Sequence, residues 1–309
     1  MAVRTLSPEL AAKAVTELYE SPKKLEDGIQ HLKIWISKQP HLRALTDDQW
    51  LATFLRGCKH SLERAKEKID LYYSLRSISP DLFSLRPHSK KFKDLLRTGS
   101  GLILPKLRDP LAPRVIIAKA SLYDPTKIGV AEFFSFAHCF QQVMYLEDDA
   151  FLVNGCTCVL DLEGLTMAHL KPVTPTLLKK LVVAGQDASP LRLKSLHIIN
   201  SISAFETIFN IAVRFLNEKH RKKLFVHSKD ISVLRDHIPP EILPKEYGGY
   251  AGTTQEIIDY WLKKFEEYEE WFVDDLKLYG TDETKRPGKA KTAETMFGVQ
   301  GSFRKLDVD

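Results

Sequence analysis

Thr157-Cys-Val-Leu-Asp-Leu162 reads as a β-strand, one of four short runs whose spacing decides the fold. The others are Arg114-Val-Ile-Ile-Ala118, Leu196-His-Ile-Ile199 and Leu224-Phe-Val-His227. Helical periodicity fills the gaps, near 129–147, 175–187 and 204–217. Strand–helix–strand alternation predicts an α/β unit, a largely parallel sheet covered by helices. Leu243-Pro-Lys-Glu-Tyr-Gly-Gly249 closes this block with a tight turn.

The first eighty residues have a different rhythm. Ser7 and Pro8 suit an N-cap and a first-turn proline. Leu25, Ile29, Leu32, Trp35 and Ile36 recur at helical spacing. Thr46 and Gln49 form a capping-box pattern ahead of Trp50, Leu51, Phe54 and Leu55. Leu62, Ala65, Ile69, Tyr72 and Leu75 share one helix face. With no β pattern, the expectation is a small all-helical unit. Downstream, a charged helix is expected over 254–278, striped by Trp261, Phe265, Tyr268 and Phe272. After Gly280 the composition turns to Thr, Lys, Gly and Ala, which suits a mobile tail. The expected organisation is thus 1–90 helical, 91–252 α/β, 253–280 a C-terminal helix and 281–309 a flexible tail.

The formal net charge is +5, and the stretch 190–223 alone carries that excess. It holds Arg192, Lys194, Arg214, Lys219, Arg221, Lys222 and Lys223 against Glu206 and Glu218. Within it runs an oily helix, Phe205, Ile208, Phe209, Ile211, Ala212, Phe215 and Leu216, opened by the capping-box pattern Ser203-Ala-Phe-Glu206. Positive charge beside an apolar helix face suits an anionic membrane, and it equally suits a core helix with a solvated basic end.

Conventional catalytic machinery is missing. There is no Gly-x-Ser-x-Gly elbow, Gly288-Lys289 lacks the glycine of a phosphate loop, and Gly99-Ser100-Gly101 is too short for a dinucleotide fingerprint. Asp161 and Glu163 suit the fixing of a strand-end turn better than acid–base work. His169 and His197 read as buried structural histidines, and Tyr145-Leu-Glu-Asp-Asp149 as a solvated acidic helix end. Cys58, Cys139, Cys156 and Cys158 form neither a disulfide framework nor a zinc set. No catalytic residue, metal or cofactor is implied. The N-terminus has no apolar signal region and no run of about 18 apolar residues exists, so a cytoplasmic protein without a membrane span is expected.

Phe54-Leu-Arg-Gly-Cys-Lys-His-Ser-Leu-Glu-Arg-Ala-Lys66, Val159-Leu-Asp-Leu-Glu-Gly164, Ser189-Pro-Leu-Arg-Leu-Lys194, His197-Ile-Ile-Asn200 and Leu243-Pro-Lys-Glu-Tyr-Gly-Gly249 together resemble the CRAL-TRIO lipid-transfer family. The likeness covers roughly 8–275 and is greatest to its tocopherol-transfer and retinaldehyde-binding branch. Phe297-Gly-Val-Gln-Gly-Ser-Phe-Arg-Lys305 is similar to the tail of insect members. The resemblance implies a helical N-terminal domain and an αβα domain, which holds one hydrophobic ligand under a helical lid, here 203–215. It implies a carrier of a tocopherol-, retinoid- or carotenoid-like ligand that transiently meets phosphoinositide-containing membranes. The lining expected from it is Leu160, Leu165, Val173, Leu181, Ala184, Leu191, Leu196, Phe205, Ile208 and Ile211. His138 and Gln142, at two small polar cavity positions of the tocopherol carriers, would set ligand choice. Arg192, Lys194, Lys219 and Lys223 match the headgroup-binding cations, with some Arg and Lys exchanged. A further cation of those carriers falls on Cys58; Lys59, one residue on, would be turned by about 100° on a helix and is not carried over. A nucleic-acid binder is the alternative for the basic stretch, but it calls for aromatics among the charges, whereas Phe205, Phe209 and Phe215 lie on the apolar face. A cytosolic enzyme would need Asp161, Glu163 and His169 to converge.

Overall fold

The structure, a computed structural model, describes residues 2–227 and 238–298. Five helices open the chain: α1 (Pro8–Lys13, continued by the π-turn Ala14–Leu18), α2 (Pro22–Ser37), α3 (Asp48–Gly57), α4 (Leu62–Ile78) and α5 (Lys90–Arg97). Ser7 caps α1 as expected, its hydroxyl accepting from the Leu10 N–H at 3.3 Å. The cap of α3 is Asp47, not Thr46: its carboxylate accepts from the Trp50 N–H at 3.1 Å. A carboxylate there also meets the positive end of the helix dipole. Gln49 turns away and accepts from the Arg4 N–H. Trp50, Leu51, Phe54 and Leu55 are all fully buried, because α3 is enclosed by α2, α4, α6 (Val130–Glu147) and α7 (Asp149–Asn154).

Among the described residues the main sheet has five strands in the order β2-β3-β4-β5-β6, the expected parallel block plus one antiparallel edge. They are β2 (Gly101–Ile103, antiparallel to β3), β3 (Arg114–Lys119), β4 (Cys156–Asp161), β5 (Leu193–Ile199) and β6 (Leu224–Val226). Gly155 has φ +80° where the chain enters β4, and a Cβ there would stand 2.0 Å from the Arg192 carbonyl oxygen. Only glycine admits that approach. The crossovers are α6 with α7, then α8 (Met167–Leu170) with α9 (Pro175–Val182, continued by the π-turn Val183–Ala188), then α10 (Ser203–Phe215) with α11 (Glu218–Arg221). The parallel strands advance in one direction, so right-handed crossovers put α6, α9 and α10 on one face of the sheet. On the other face Val115 and Thr157 line a hollow together with Ile238 and Ile242. The capping box expected at Ser203 does not form: Ser203 is already helical, Ile202 is the cap, and no side chain closes it.

The C-terminal helix is two helices, α12 (Thr254–Glu267) and α13 (Glu269–Leu278). Tyr268 breaks them at ψ 6°, and its hydroxyl donates to Glu147 at 3.0 Å. Two-residue strands β1 (Leu42–Arg43) and β7 (Gly280–Thr281) pair antiparallel, so the N-terminal unit is not all-helical. A strand of two residues shows no periodicity. The expected mobile tail is folded as far as 298. Arg286 is 2.9 Å from Asp70, Lys291 joins the same carboxylate, and Phe297, on α14 (Ala293–Phe297), is 1% exposed and packs near α9. Residues 299–309, with most of the tail motif, lie outside the described residues. One apolar core runs from Ile29 to Phe297, joining the N-terminal helices to the sheet.

Buried ions pin these parts together. Glu20, just after the π-turn, pairs with Arg56 of α3 at 3.0 Å and with His60 at 3.1 Å. Burial would push its carboxyl up, but the bonds from His60 and Arg56 outweigh that and lower it to about 2. A depressed carboxyl contributes stability that is fully present above its unfolded value, about 4.3, and is lost as pH falls through the folded one. The stability gap between the native chain and Glu20→Gln should therefore be full at pH 7 and shrink between about pH 4.3 and 2. Denaturant titrations across that range check it; a gap that does not move with pH would contradict it.

Candidate functional site

The sheet face beneath α9 and α10 is not closed. On the opposite face Val115, Ile117, Val159, His197 and Ile199 are buried. On this one Ile198 of β5 is buried, but Ile116 and Ala118 of β3, Cys158 and Leu160 of β4 and Leu196 of β5 are only half-buried. These are interior strands flanked on both sides, so such exposure comes through the face itself. The helix above behaves alike. α10 is strongly amphipathic, yet none of its residues is buried. Phe205, Ile208 and Ile211 are half-buried, with the Phe205 and Phe209 rings 6.0 Å apart. Leu165, Val173, Leu181 and Leu191 are half-buried too, and Ala184 is buried. Of the residues expected to line a cavity, Ala184 belongs to the main core and Leu181 and Leu191 pack against it, whereas those on β4, β5, α10 and the start of the β4–β5 crossover stand outside that core.

His138 and Gln142, expected to set ligand choice, are bonded to neighbouring helices. Both lie on α6, with the Gln142 amide and the His138 Nε2 engaged within the protein. Gln142 is fully buried; its amide donates to the Tyr72 hydroxyl and the Asp275 carboxylate, each at 3.1 Å, and its carbonyl accepts from Arg86 at 3.2 Å. His138 Nε2 is 3.0 Å from the Tyr72 hydroxyl, and its ring lies between Phe83 and Phe134. Burial, then Arg86 and Arg76, lower its pKa well below the usual histidine range, so it is neutral. These side chains join α6 to α4 and α13.

The basic residues gather as expected, and two more join them. Lys223 has a lowered pKa through burial and then the charges of Lys219, Lys194 and Arg192. Lys219 has one through burial and then Arg64, Lys59 and Arg192. Arg192 donates to the Val153 carbonyl and Lys223 to that of Leu193. Sequence reasoning set Lys59 aside by assuming that a helix continued past Cys58. Instead α3 ends at Gly57, and Lys59 and His60 take left-handed φ of 53° and 59°. Gly57 lets the chain pass against Pro190, whose carbonyl oxygen would be 2.3 Å from a Cβ there. That approach brings Lys59 to the Arg192 side of the molecule. The glycine at the helix end was the available signal.

The candidate catalytic groups have structural tasks. Asp161 accepts from the Glu163 N–H at 3.0 Å and from Asn200 at 2.8 Å, and pairs with Lys119 at 3.2 Å. Its role is the expected fixing of the turn. His169 bonds Thr166 through Nδ1 and sits 3.2 Å from the Tyr123 carbonyl oxygen through Nε2, and His197 Nδ1 is 3.0 Å from His227. The acidic helix end is solvated only at Glu147, and all three of its carboxylates are ion-paired. Glu147 meets Lys264, Asp148 meets Arg114 and Asp149 meets Arg4. No group of acidic, His and Cys side chains fit to hold a metal exists among the described residues, nor a helix long and apolar enough to cross a membrane.

Residues 98–249 match the CRAL/TRIO domain family, and 21–91 match the family described as Pinta-like, UBA domain. The Mus musculus protein named Alpha-tocopherol transfer protein-like is 32% identical over 252 residues, which are 81% of this chain and 72% of its own. Its Homo sapiens namesake is 31% identical over the same shares. Clavesin-2 of Homo sapiens is 28% identical over 286 residues, 92% of this chain and 85% of its own. The half-open sheet face under an amphipathic helix stands inside the matched region, and the chain belongs to the CRAL-TRIO family.

Proposed function

We propose that the chain is a carrier that holds one small hydrophobic molecule between the sheet and α10 and releases it at anionic, phosphoinositide-containing membranes. The observation that carries this reading is α10: thirteen residues, a wide apolar face and no buried side chain. An apolar face that meets neither core nor solvent fully suits a movable lid over a ligand. The names of the relatives support a tocopherol-like ligand, and the mainly apolar residues facing this space suit any isoprenoid of that size, including retinoids and carotenoids. Burying several hundred Å² of such a molecule would give on the order of 10 kcal/mol of gross drive at about 25 cal/mol per Å². Immobilising the ligand and closing the lid offset part of it. The apolar face of α10 gains lipid contact only when open, so a membrane favours the open state.

Nucleic acid is a weaker partner, because Phe205 and Phe209 lie on the half-buried face of α10 and not among the charges. An enzyme is weaker still, with Asp161, Glu163 and His169 each held by structural partners. Loading with tocopherol, retinol and a carotenoid, followed by re-isolation and extraction, tests the reading. The native chain should retain about one equivalent of at least one of them. Leu160→Trp, which fills the floor from β4, should retain roughly tenfold less, the scale of one or two kcal/mol of lost fit. Equal retention, or none by either protein, would sink the proposal.

A further inference from the structure

The N-terminal π-turn places a carboxylate inside the basic patch. Glu17 Oε2 stands 3.1 Å from both Arg192 Nη2 and Lys194 Nζ, and Oε1 lies 3.7 Å from Lys13 Nζ. Burial acts to raise its pKa, but the bonds from Lys194 and Arg192 prevail and leave it lowered. The carboxylate is thus ionised at neutral pH, with one oxygen bridging two cations, much as an anionic ligand would be. The turn that carries it is held at its end by the buried Glu20–Arg56 pair, so Glu17 is fixed in place while its own side chain stays half-exposed. The turn belongs to a small separate cluster of Leu10, Ala14, Leu18, Ala150 and Val153. A cavity of about 450 Å³ lies against it, bounded by residues 3–6, Ala14, Val15 and α2. Val15 and Tyr19, on either side of Glu17, are 55% and 63% exposed.

We infer that Glu17 is a built-in competitor that sets a charge threshold, so that this surface accepts a lipid headgroup bearing phosphate monoesters and rejects one with a single net negative charge. The inference rests on the membrane reading above and adds its selectivity. A singly charged headgroup offers Arg192 and Lys194 no more charge than the carboxylate already there. Glu17 also has the advantage of high effective concentration, being tethered in place. A phosphate monoester carries close to two charges and three acceptor oxygens at neutral pH. It can bridge Arg192 and Lys194, the guanidinium by paired bonds, and still draw on Lys219 and Lys223. Once the carboxylate yields, Tyr19, whose exposed ring has its centroid 5.6 Å from Lys59 Nζ, offers an amphipathic ring beside these cations, as suits a bilayer interface.

The test is sedimentation of the full chain with phosphatidylcholine vesicles. One set carries phosphatidylserine, the other a phosphatidylinositol bisphosphate at matched total charge. The native chain should prefer the bisphosphate vesicles by roughly tenfold. Glu17→Gln should gain about fivefold on phosphatidylserine, the worth of one charge at an anionic surface, and lose most of the preference. Glu17→Asp should keep part of it. Glu270→Gln, the same charge change at an exposed position of α13, should leave the ratio unchanged. A ratio that Glu17→Gln leaves intact, or that Glu270→Gln shifts equally, overturns the threshold while the membrane reading stands. So does native binding to both vesicles without preference. Binding to neither vesicle by any variant overturns the inference and the membrane reading together.

Discussion

Asp275→Asn should cost the fold about 3–5 kcal/mol, the expected penalty for stripping buried cations of their counter-charge. Asp275 is 1% exposed on α13 and faces two guanidinium groups. Arg76 approaches its carboxylate at 3.0 Å and donates to its backbone carbonyl at 3.0 Å; Arg86 lies 4.0 Å away. Arg76 also lies over the rings of Tyr72 and Tyr73. Burial acts to lower its pKa, but the Asp275 charge outweighs that and raises it, so it keeps its proton. Without the carboxylate, two cations and the amide of Gln142 lose the group that organises them. The residues come from α4, the stretch before α5, α6 and α13, so the loss loosens the joint between the N-terminal helices, the sheet domain and the C-terminal helices. Denaturant unfolding measures it. The double variant Asp275→Asn, Arg86→Met should recover part of the loss, because one uncompensated charge goes with it. A loss below about 1 kcal/mol, or no coupling between the two sites, would contradict this account of the core.

The second large effect is expected at the membrane. Changing Arg192, Lys194, Lys219 and Lys223 together to Gln should abolish faster ligand release to phosphoinositide vesicles while ligand binding persists. Each cation near an anionic surface contributes about 1 kcal/mol, so four are worth roughly a thousandfold in membrane affinity at low salt. Rising salt should erode the native protein's advantage through screening. Liposome-to-liposome transfer of a loaded lipophile, with and without phosphoinositide in the acceptor, reads both effects. Equal transfer by the two proteins at low salt would remove the patch from the mechanism. Lys59 and Arg64 stand close enough to influence Lys219, so adding their substitution should deepen the loss.

The parallel sheet was legible because its strands are interior and apolar, and the intervening helices α9 and α10 keep a clear 3.6-residue period. The sequence pattern also placed α10 and the basic residues beside it. What it missed depended on distant groups. The two-residue strands β1 and β7 exist only through their pairing, and the tail to 298 folds because Asp70 of α4 attracts Arg286 and Lys291. Residue type suggested that His138 and Gln142 were polar points in a cavity. Only the positions of Tyr72, Arg86 and Asp275 reveal that the Gln142 amide and the His138 Nε2 are already bonded. Lys59 escaped for a local reason: the left-handed turn after Gly57 ends the helical register on which its rejection depended.

The claim that a ligand fills the space beneath α10 is tested most directly by weighing the intact, freshly purified protein under non-denaturing conditions. One small apolar molecule per chain is expected above the mass of the polypeptide, released by organic solvent and reduced in Leu160→Trp. A bare polypeptide mass, both as purified and after incubation with tocopherol, retinol and a carotenoid, would contradict it.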